Sequence, residues 1–206
     1  MNQIEALKRL KTFGATGFET RDAAALLGVS AANANMILRR LARHGLILHV
    51  SRGRWVGDAI DRFLLPELIT APSPAYVSMQ SALFHHGLIE QVPAVIFAAT
   101  LGRPRRVRTP LGVVSLHRVP AALFEGFDLY EKTGAKIARS EKALFDLFYL
   151  APGRSRLFAA LPELEIPRTF RWAQLIRYAE LVRSPARRSF LLTRIAETRA
   201  HVRDRG

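Results

Sequence analysis

The stretch Thr20-Arg21-Asp22-Ala23-Ala24-Ala25-Leu26-Leu27-Gly28-Val29-Ser30 decides how the first part of the chain is read. It predicts a short helix capped by Thr20 and ending at Leu27, then a left-handed turn at Gly28, a backbone state that residues with a Cβ resist. Ser30 is placed to cap a longer helix over 31–44. In that second helix Ala34, Ile37, Leu38 and Leu41 recur at spacings of three and four and make one apolar face. The opposite face carries Asn33, Asn35, Met36, Arg39, Arg40 and Arg43, and Gly45 ends the helix.

Two helices joined by so short a turn form a helix-turn-helix unit. Downstream, 46–50 and 55–56 are expected to pair as strands across Ser51-Arg52-Gly53-Arg54, with Gly53 in the turn. A helix-turn-helix followed directly by a tight hairpin with arginines at its tip predicts a winged helix-turn-helix domain over 1–57. In such a domain the second helix enters the major groove of DNA, while the hairpin reaches phosphates or the minor groove. Asn bonds adenine bidentately, and Arg bonds guanine or a phosphate in the same forked way. The candidate DNA contacts are therefore Asn33, Asn35, Met36, Arg39, Arg40 and Arg43 on the helix and Arg52 and Arg54 on the hairpin. The competing reading is a protein-interaction module with a merely solvated arginine face. Arginines on both helix and hairpin favour DNA.

Charge points the same way. The 206 residues carry a formal net charge of +14, unevenly spread. Residues 1–57 hold nine basic side chains against three acids, and 168–206 hold ten arginines against three acids. Between them, 58–167 is nearly balanced, with twelve basic and eleven acidic residues. A polyanionic partner is implied, with binding that falls steeply as salt rises. No apolar run approaches the length of a membrane span, and the N-terminus lacks the apolar core of a secretion signal, so a cytoplasmic protein without membrane attachment is expected. The chain has no cysteine, which excludes disulfides and cysteine-based zinc sites.

Along the rest of the chain, the first helix is expected over 3–13, with Ile4, Leu7 and Leu10 packing beneath the two helices above. A helix over 58–69 leaves the hairpin, interrupted by Pro66, and the Ala-Pro-Ser-Pro run at 71–74 closes it. This sets 58–73 as connecting helix and linker, and 74–206 as a mixed α+β domain with a small sheet and a helical C-terminal half. Strands are expected at 95–99, 113–119, 127–130 and 136–138, a short helix at 79–86, and a basic loop at 103–108. Ser140 opens a strongly periodic helix, with Glu141 in its first turn and Lys142 and Asp146 spaced as an i,i+4 ion pair. Further helices are expected at 154–161, 172–182 and 186–202. The last two leave Arg177, Arg183, Arg187, Arg188, Arg194 and Arg199 outward. Arg177, Arg183, Arg187 and Arg188 are candidates for unspecific contact with nucleic acid.

Several motifs carry a resemblance. Leu41-Ala42-Arg43-His44-Gly45-Leu46-Ile47 with Arg52-Gly53-Arg54-Trp55 resembles the winged helix that opens AbiEi-type antitoxins of type IV, or abortive-infection, toxin–antitoxin operons. Tyr76-Val77-Ser78, Ser81-Ala82-Leu83, His86-Gly87-Leu88 and Pro93 resemble that family's second-domain sequence. So does Ala138-Arg139-Ser140-Glu141-Lys142-Ala143-Leu144-Phe145-Asp146-Leu147, with Ser140 where the family has Pro. The resemblance covers roughly 4–150. It implies autorepression at the chain's own promoter and neutralisation of a nucleotidyltransferase-like toxin without need of direct contact. It implies no cofactor and supplies no catalytic residue.

Catalytic motifs are sparse. No phosphate-binding Gly-x-x-x-x-Gly-Lys loop, His-Glu-x-x-His or Gly-x-Ser-x-Gly occurs. His85 and His86 are neighbours, so a helix points them about 100° apart, unsuited to one metal. Asp128, Glu141, Lys142 and Asp146 could in principle form an acid–lysine nuclease site, which makes a nucleic-acid enzyme the third functional class after regulator and interaction module. The spacing favours the plain ion pair, and no enzymatic activity is expected.

Overall fold

The computed structural model describes residues 2–151 and 163–203. The helix expected at 154–161 lies outside the described residues. Within them the chain is mixed α+β, with two sheets.

Helix α1 (Gln3–Leu10) is capped by Asn2, whose side chain accepts from the Ile4 amide at 2.7 Å. Ala6 and Leu10, four residues apart, face inward, and Ile4 is 64% exposed. The expected burial of Ile4 is thus corrected: it lies off the stripe that Ala6 and Leu10 define. A 3-10 turn (Lys11–Thr16) leads to β1 (Phe18–Glu19) and α2 (Thr20–Leu27). Glu19, not Thr20, caps α2, in a reciprocal box with Asp22. Thr20 instead donates to the Gly53 carbonyl at 3.3 Å and accepts from Trp55 Nε1 at 2.9 Å, tying α2 to the hairpin. Gly28 takes the left-handed turn at φ 65°, and Ser30 caps α3 (Ala31–Arg43) by accepting from the Asn33 amide at 3.2 Å. Strands β2 (Ile47–Ser51) and β3 (Arg54–Gly57) pair antiparallel, and β1 joins them in the order β1-β3-β2.

Trp55 and Val56 are adjacent in a strand yet both buried, so both faces of the hairpin are covered. Trp55 joins Leu10, Phe18, Leu38, Leu41 and Ile47 in a small core under the helices. Val56 and Val50 belong to a larger core shared with the rest of the chain. The segment after the hairpin is not one helix with a kink. A 3-10 turn (Arg62–Leu64) precedes α4 (Leu65–Thr70), and Pro66 sits in its first turn, where its missing N–H breaks no helical bond. Leu65 and Ile69 are buried in the larger core, so α4 packs with the second sheet and its helices.

The second sheet comprises β4 (Ala75–Val77), β5 (Val95–Thr100), β6 (Arg105–Thr109), β7 (Gly112–Arg118), β8 (Phe127–Leu129) and β9 (Lys136–Ala138). Its order is β6-β7-β5-β4-β9-β8, with β5 parallel to β7, β4 parallel to β9, and the remaining pairs antiparallel. Helix α5 (Met79–His85) follows β4, and α6 (Ser140–Leu150), α7 (Trp172–Glu180) and α8 (Pro185–Arg203) complete the chain. The basic loop expected at 103–108 is in large part strand β6. Its alternation turns Val107 onto the core and Arg106 and Arg108 the other way.

Helix α6 carries the central polar feature. Lys142 and Asp146 are both completely buried and form an ion pair. Asp146 also accepts from Tyr76 Oη at 2.9 Å and Ser78 Oγ at 2.7 Å. The Lys142 ammonium lies 4.9 Å from the Phe145 ring centre, 5.6 Å from that of Tyr76 and 5.5 Å from that of Tyr178. Burial first, then the Asp146 charge, pushes the Tyr76 phenol well above its usual range, so it stays a donor. The i,i+4 spacing read from the sequence is right, but the pair is interior. Breaking one side of such a pair strands a charge, at a cost of about 3–5 kcal/mol. Asp146→Ala is therefore expected to lower unfolding stability by about that much in urea titrations, whereas Lys142→Met with Asp146→Leu recovers most of the loss. A single Asp146→Ala cost under about 1 kcal/mol, the range of surface pairs, would contradict the assignment.

Candidate nucleic-acid interface

The small core fixes which side of α3 is free. Ala34, Leu38 and Leu41 are fully buried, which leaves two polar stripes. Asn33, Met36, Arg40 and Arg43, at spacings of three and four, lie along the outer face and are exposed, Met36 by 59%. Asn35, Arg39 and Arg43 turn toward the hairpin. Between α3 and the hairpin lies an open groove of about 960 Å³, lined by these three residues and by His49, Arg52 and Trp55. No carboxylate lines it. The guanidinium groups of Arg39, Arg40, Arg43 and Arg52 make no hydrogen bond or ion pair among the described residues. Nearby acids are already engaged: Glu5 with Arg9 at 3.0 Å, and Glu19 and Asp22 with Arg21 at 2.9 and 3.7 Å. Among residues 2–57 the arginines without a partner are thus those of α3 and the hairpin tip.

Arg54 does not belong with them. Its side chain is 18% exposed and donates to the Leu68 carbonyl and, at 2.6 Å, to the Ala71 carbonyl. It also meets Glu19 at 3.3 Å. The guanidinium therefore fastens the hairpin to the end of α4, whose last carbonyls lack helical partners. Of the residues expected to contact DNA, Arg54 is thus the one whose donors are committed within the fold. His49, by contrast, was absent from the expected set. It is exposed in β2, and its ring centre lies 4.6 Å from that of Trp55 inside the groove. Its place opposite Trp55 in the β2–β3 register sets it beside that ring, a pairing that the irregular register between His49 and Ser51 hides from the sequence.

Of the C-terminal arginines expected outward, Arg177, Arg183 and Arg199 are exposed, whereas Arg187, Arg188 and Arg194 are half-buried. Arg187 donates to the Tyr149 carbonyl, near the end of α6, and its guanidinium lies 3.9 Å from the Tyr149 ring centre. Arg188 donates to the Val182 carbonyl, just past α7, through Nε at 3.1 Å and a second nitrogen at 2.9 Å. Both are half-buried, and helix-end carbonyls in need of donors are the reason. Arg177 pairs with Glu125 at 3.0 Å. Arg183 is exposed.

The residues weighed for catalysis or metal binding do not converge. Asp128 is held by two bonds from Arg139, at 2.7 and 2.6 Å, which draw its carboxyl below the usual range. Glu141 accepts from the Arg171 amide at 3.0 Å, while Lys142 and Asp146 are sealed inside α6. The His85 ring packs against Phe63 and Tyr130, and burial lowers its pKa. His86 Nε2 lies 2.7 Å from the Ala138 carbonyl. Among the described residues no group of three or more His, Asp or Glu is placed to hold a metal ion, and no helix is long and apolar enough to cross a membrane.

No protein-family model and no curated protein matches the chain. The assignment of the groove rests on its own residues, and the contrast between Arg52 and Arg54 tests it. Removing Arg54 is expected to cost about 1.5–3 kcal/mol of folding stability, as for lost charge-assisted hydrogen bonds. Arg52→Ala should stay within about 0.5 kcal/mol of wild type. Thermal and urea unfolding of the two variants measures both, and equal costs would contradict the different roles given to them.

Proposed function

We propose that the chain is a DNA-binding transcriptional repressor whose first 57 residues act as a winged helix-turn-helix. In this reading α3 enters the major groove, and the β2–β3 hairpin sets Arg52 against the adjoining phosphates or minor groove. The observation that carries the reading is the acid-free groove, where α3 and the hairpin present Asn35, Arg39, Arg43, His49 and Arg52 without internal partners for the arginines. The 13 residues of α3 extend about 20 Å, enough to lie along several base pairs. The exposed Asn33, Met36 and Arg40 are the groups for base edges, and the groove-side arginines suit phosphates.

The motif resemblance extends the proposal to the antitoxin of a type IV toxin–antitoxin operon, acting on its own promoter in the cytoplasm. The functional partner would be a nucleotidyltransferase-like toxin, neutralised without direct contact. Consistent with the two second-domain motifs defining one fold, Tyr76 and Ser78 from the first meet Lys142 and Asp146 from the second at one buried cluster.

Arg39→Ala, Arg40→Ala and Arg52→Ala should each weaken binding to the chain's own promoter by about 1–3 kcal/mol in band-shift titrations, without loss of fold. A triple variant that binds like wild type would refute the groove assignment. Co-expression with a nucleotidyltransferase-like protein encoded beside this chain should restore growth, and failure to do so would remove the antitoxin half of the proposal alone.

A further inference from the structure

Between Gln91 and Phe124 the chain carries five arginines and no Asp or Glu. All five lie on or beside strands β6 and β7, the edge of the larger sheet. One of them, Arg105, is used internally, donating to the Ile69 carbonyl at the end of α4. The other four, Arg103, Arg106, Arg108 and Arg118, are exposed and make no side-chain hydrogen bond or ion pair among the described residues. Arg106 and Arg108 are two apart in β6 and share a face. Arg103 precedes β6 and Arg118 ends β7, both just past the last β6–β7 pair, Arg105 with Leu116. Of the two acids that flank this stretch in the sequence, Glu90 and Glu125, the latter is engaged by Arg177. The edge is therefore a positive surface with no counter-charge of its own.

Its position matters as much as its charge. β2 of the hairpin runs beside β6. The arginine edge is thus the surface next to the hairpin that the proposed reading sets against DNA. The five residues of β6 span about 17 Å. One strand of B-DNA carries a phosphate about every 3.4 Å of axis, so that length faces about five of them. Strand edges lined by arginine offer no groove-shaped element to read bases, so contact here is with the backbone.

We propose that Arg103, Arg106, Arg108 and Arg118 form a second, sequence-independent contact to the phosphates of duplex DNA flanking the site read by α3. This rests on the DNA-binding reading above and places the unspecific contact on the sheet edge, not on the C-terminal helices. It makes the larger domain part of the DNA-binding surface.

The test compares wild type with Arg106→Gln/Arg108→Gln and with Arg103→Gln/Arg118→Gln, all as the full chain. Fluorescence anisotropy is followed against salt on a duplex selected from a randomised pool by wild type, and on a random-sequence duplex of about two helical turns. Each double variant should lose affinity several-fold on both duplexes alike, keep the ratio between them, and flatten the log–log salt slope by roughly 2, about 0.9 for each phosphate no longer neutralised. Circular dichroism melting should match wild type, since all four side chains are exposed. If wild type binds the duplexes and both variants keep its affinity and slope, the sheet-edge contact is refuted while the α3 reading stands. If the variants instead lose discrimination between the duplexes, the contact is not sequence-independent and the proposal falls. If wild type binds neither duplex, the DNA-binding reading and the sheet-edge contact fall together.

Discussion

The ammonium of Lys142, buried without access to water, imposes a chain of requirements that reaches the far end of the molecule. A buried cation needs a counter-charge, which Asp146 supplies from the next turn of the same helix. Asp146 in turn has acceptor capacity beyond one lysine, and Tyr76 and Ser78 at the end of β4 fill it. Those two bonds hold α6 against β4, near the centre of the six-stranded sheet. Met79, the residue after Ser78, is held at φ 52°, a state that a side chain tolerates only where its surroundings over-determine it. The same sheet buries Leu65 and Ile69 of α4. The end of α4 then receives Arg54 from the hairpin and Arg105 from β6. The orientation of the hairpin, and through Thr20 and Trp55 that of α2, is thus referred back to the core around the six-stranded sheet.

Besides the arginines paired with carboxylates, two populations stand out. One group, Arg54, Arg105, Arg187 and Arg188, donates to carbonyls at or near helix ends and is structural. The other, Arg39, Arg40, Arg43, Arg52 and the four on the β6–β7 edge, has no internal partner among the described residues. Composition alone treats the two alike. What separates them is whether an orphan carbonyl lies within reach of a planar fork of donors, a property of the fold. A bond to a carbonyl leaves the charge of a guanidinium in place but commits its donors, so the net charge of +14 does not say which arginines are free to bond a polyanion.

Much of the local structure was legible in the residues. The helix ending at Leu27, the left-handed Gly28, the Ser30 cap and the buried face of Ala34, Leu38 and Leu41 follow from local chemistry and period, and the strand at Lys136–Ala138 was placed to the residue. What was missed depends on distant partners. β1 is two residues long and exists because β3 is beside it. β6 reads as a basic loop between prolines until Val107 is seen against the core. The Lys142–Asp146 pair has the spacing of a surface ion pair, and only Tyr76 and Ser78, about seventy residues earlier, make its burial tolerable. In the candidate interface, Arg54 and Arg52 flank the same glycine, and no local signal separates them. The partners that capture Arg54 lie at Leu68 and Ala71.

The central claim is that α3 and the hairpin tip, not the C-terminal helices, face the nucleic acid. The arginine Nε–Hε signals in a nuclear magnetic resonance titration of the full chain with a duplex it has selected test this side chain by side chain. The account predicts that the signals of Arg39, Arg40, Arg43 and Arg52 shift on binding while those of Arg54, Arg187 and Arg188 stay in place. Shifts confined to Arg177, Arg187 and Arg188, with the α3 arginines unmoved, would contradict it.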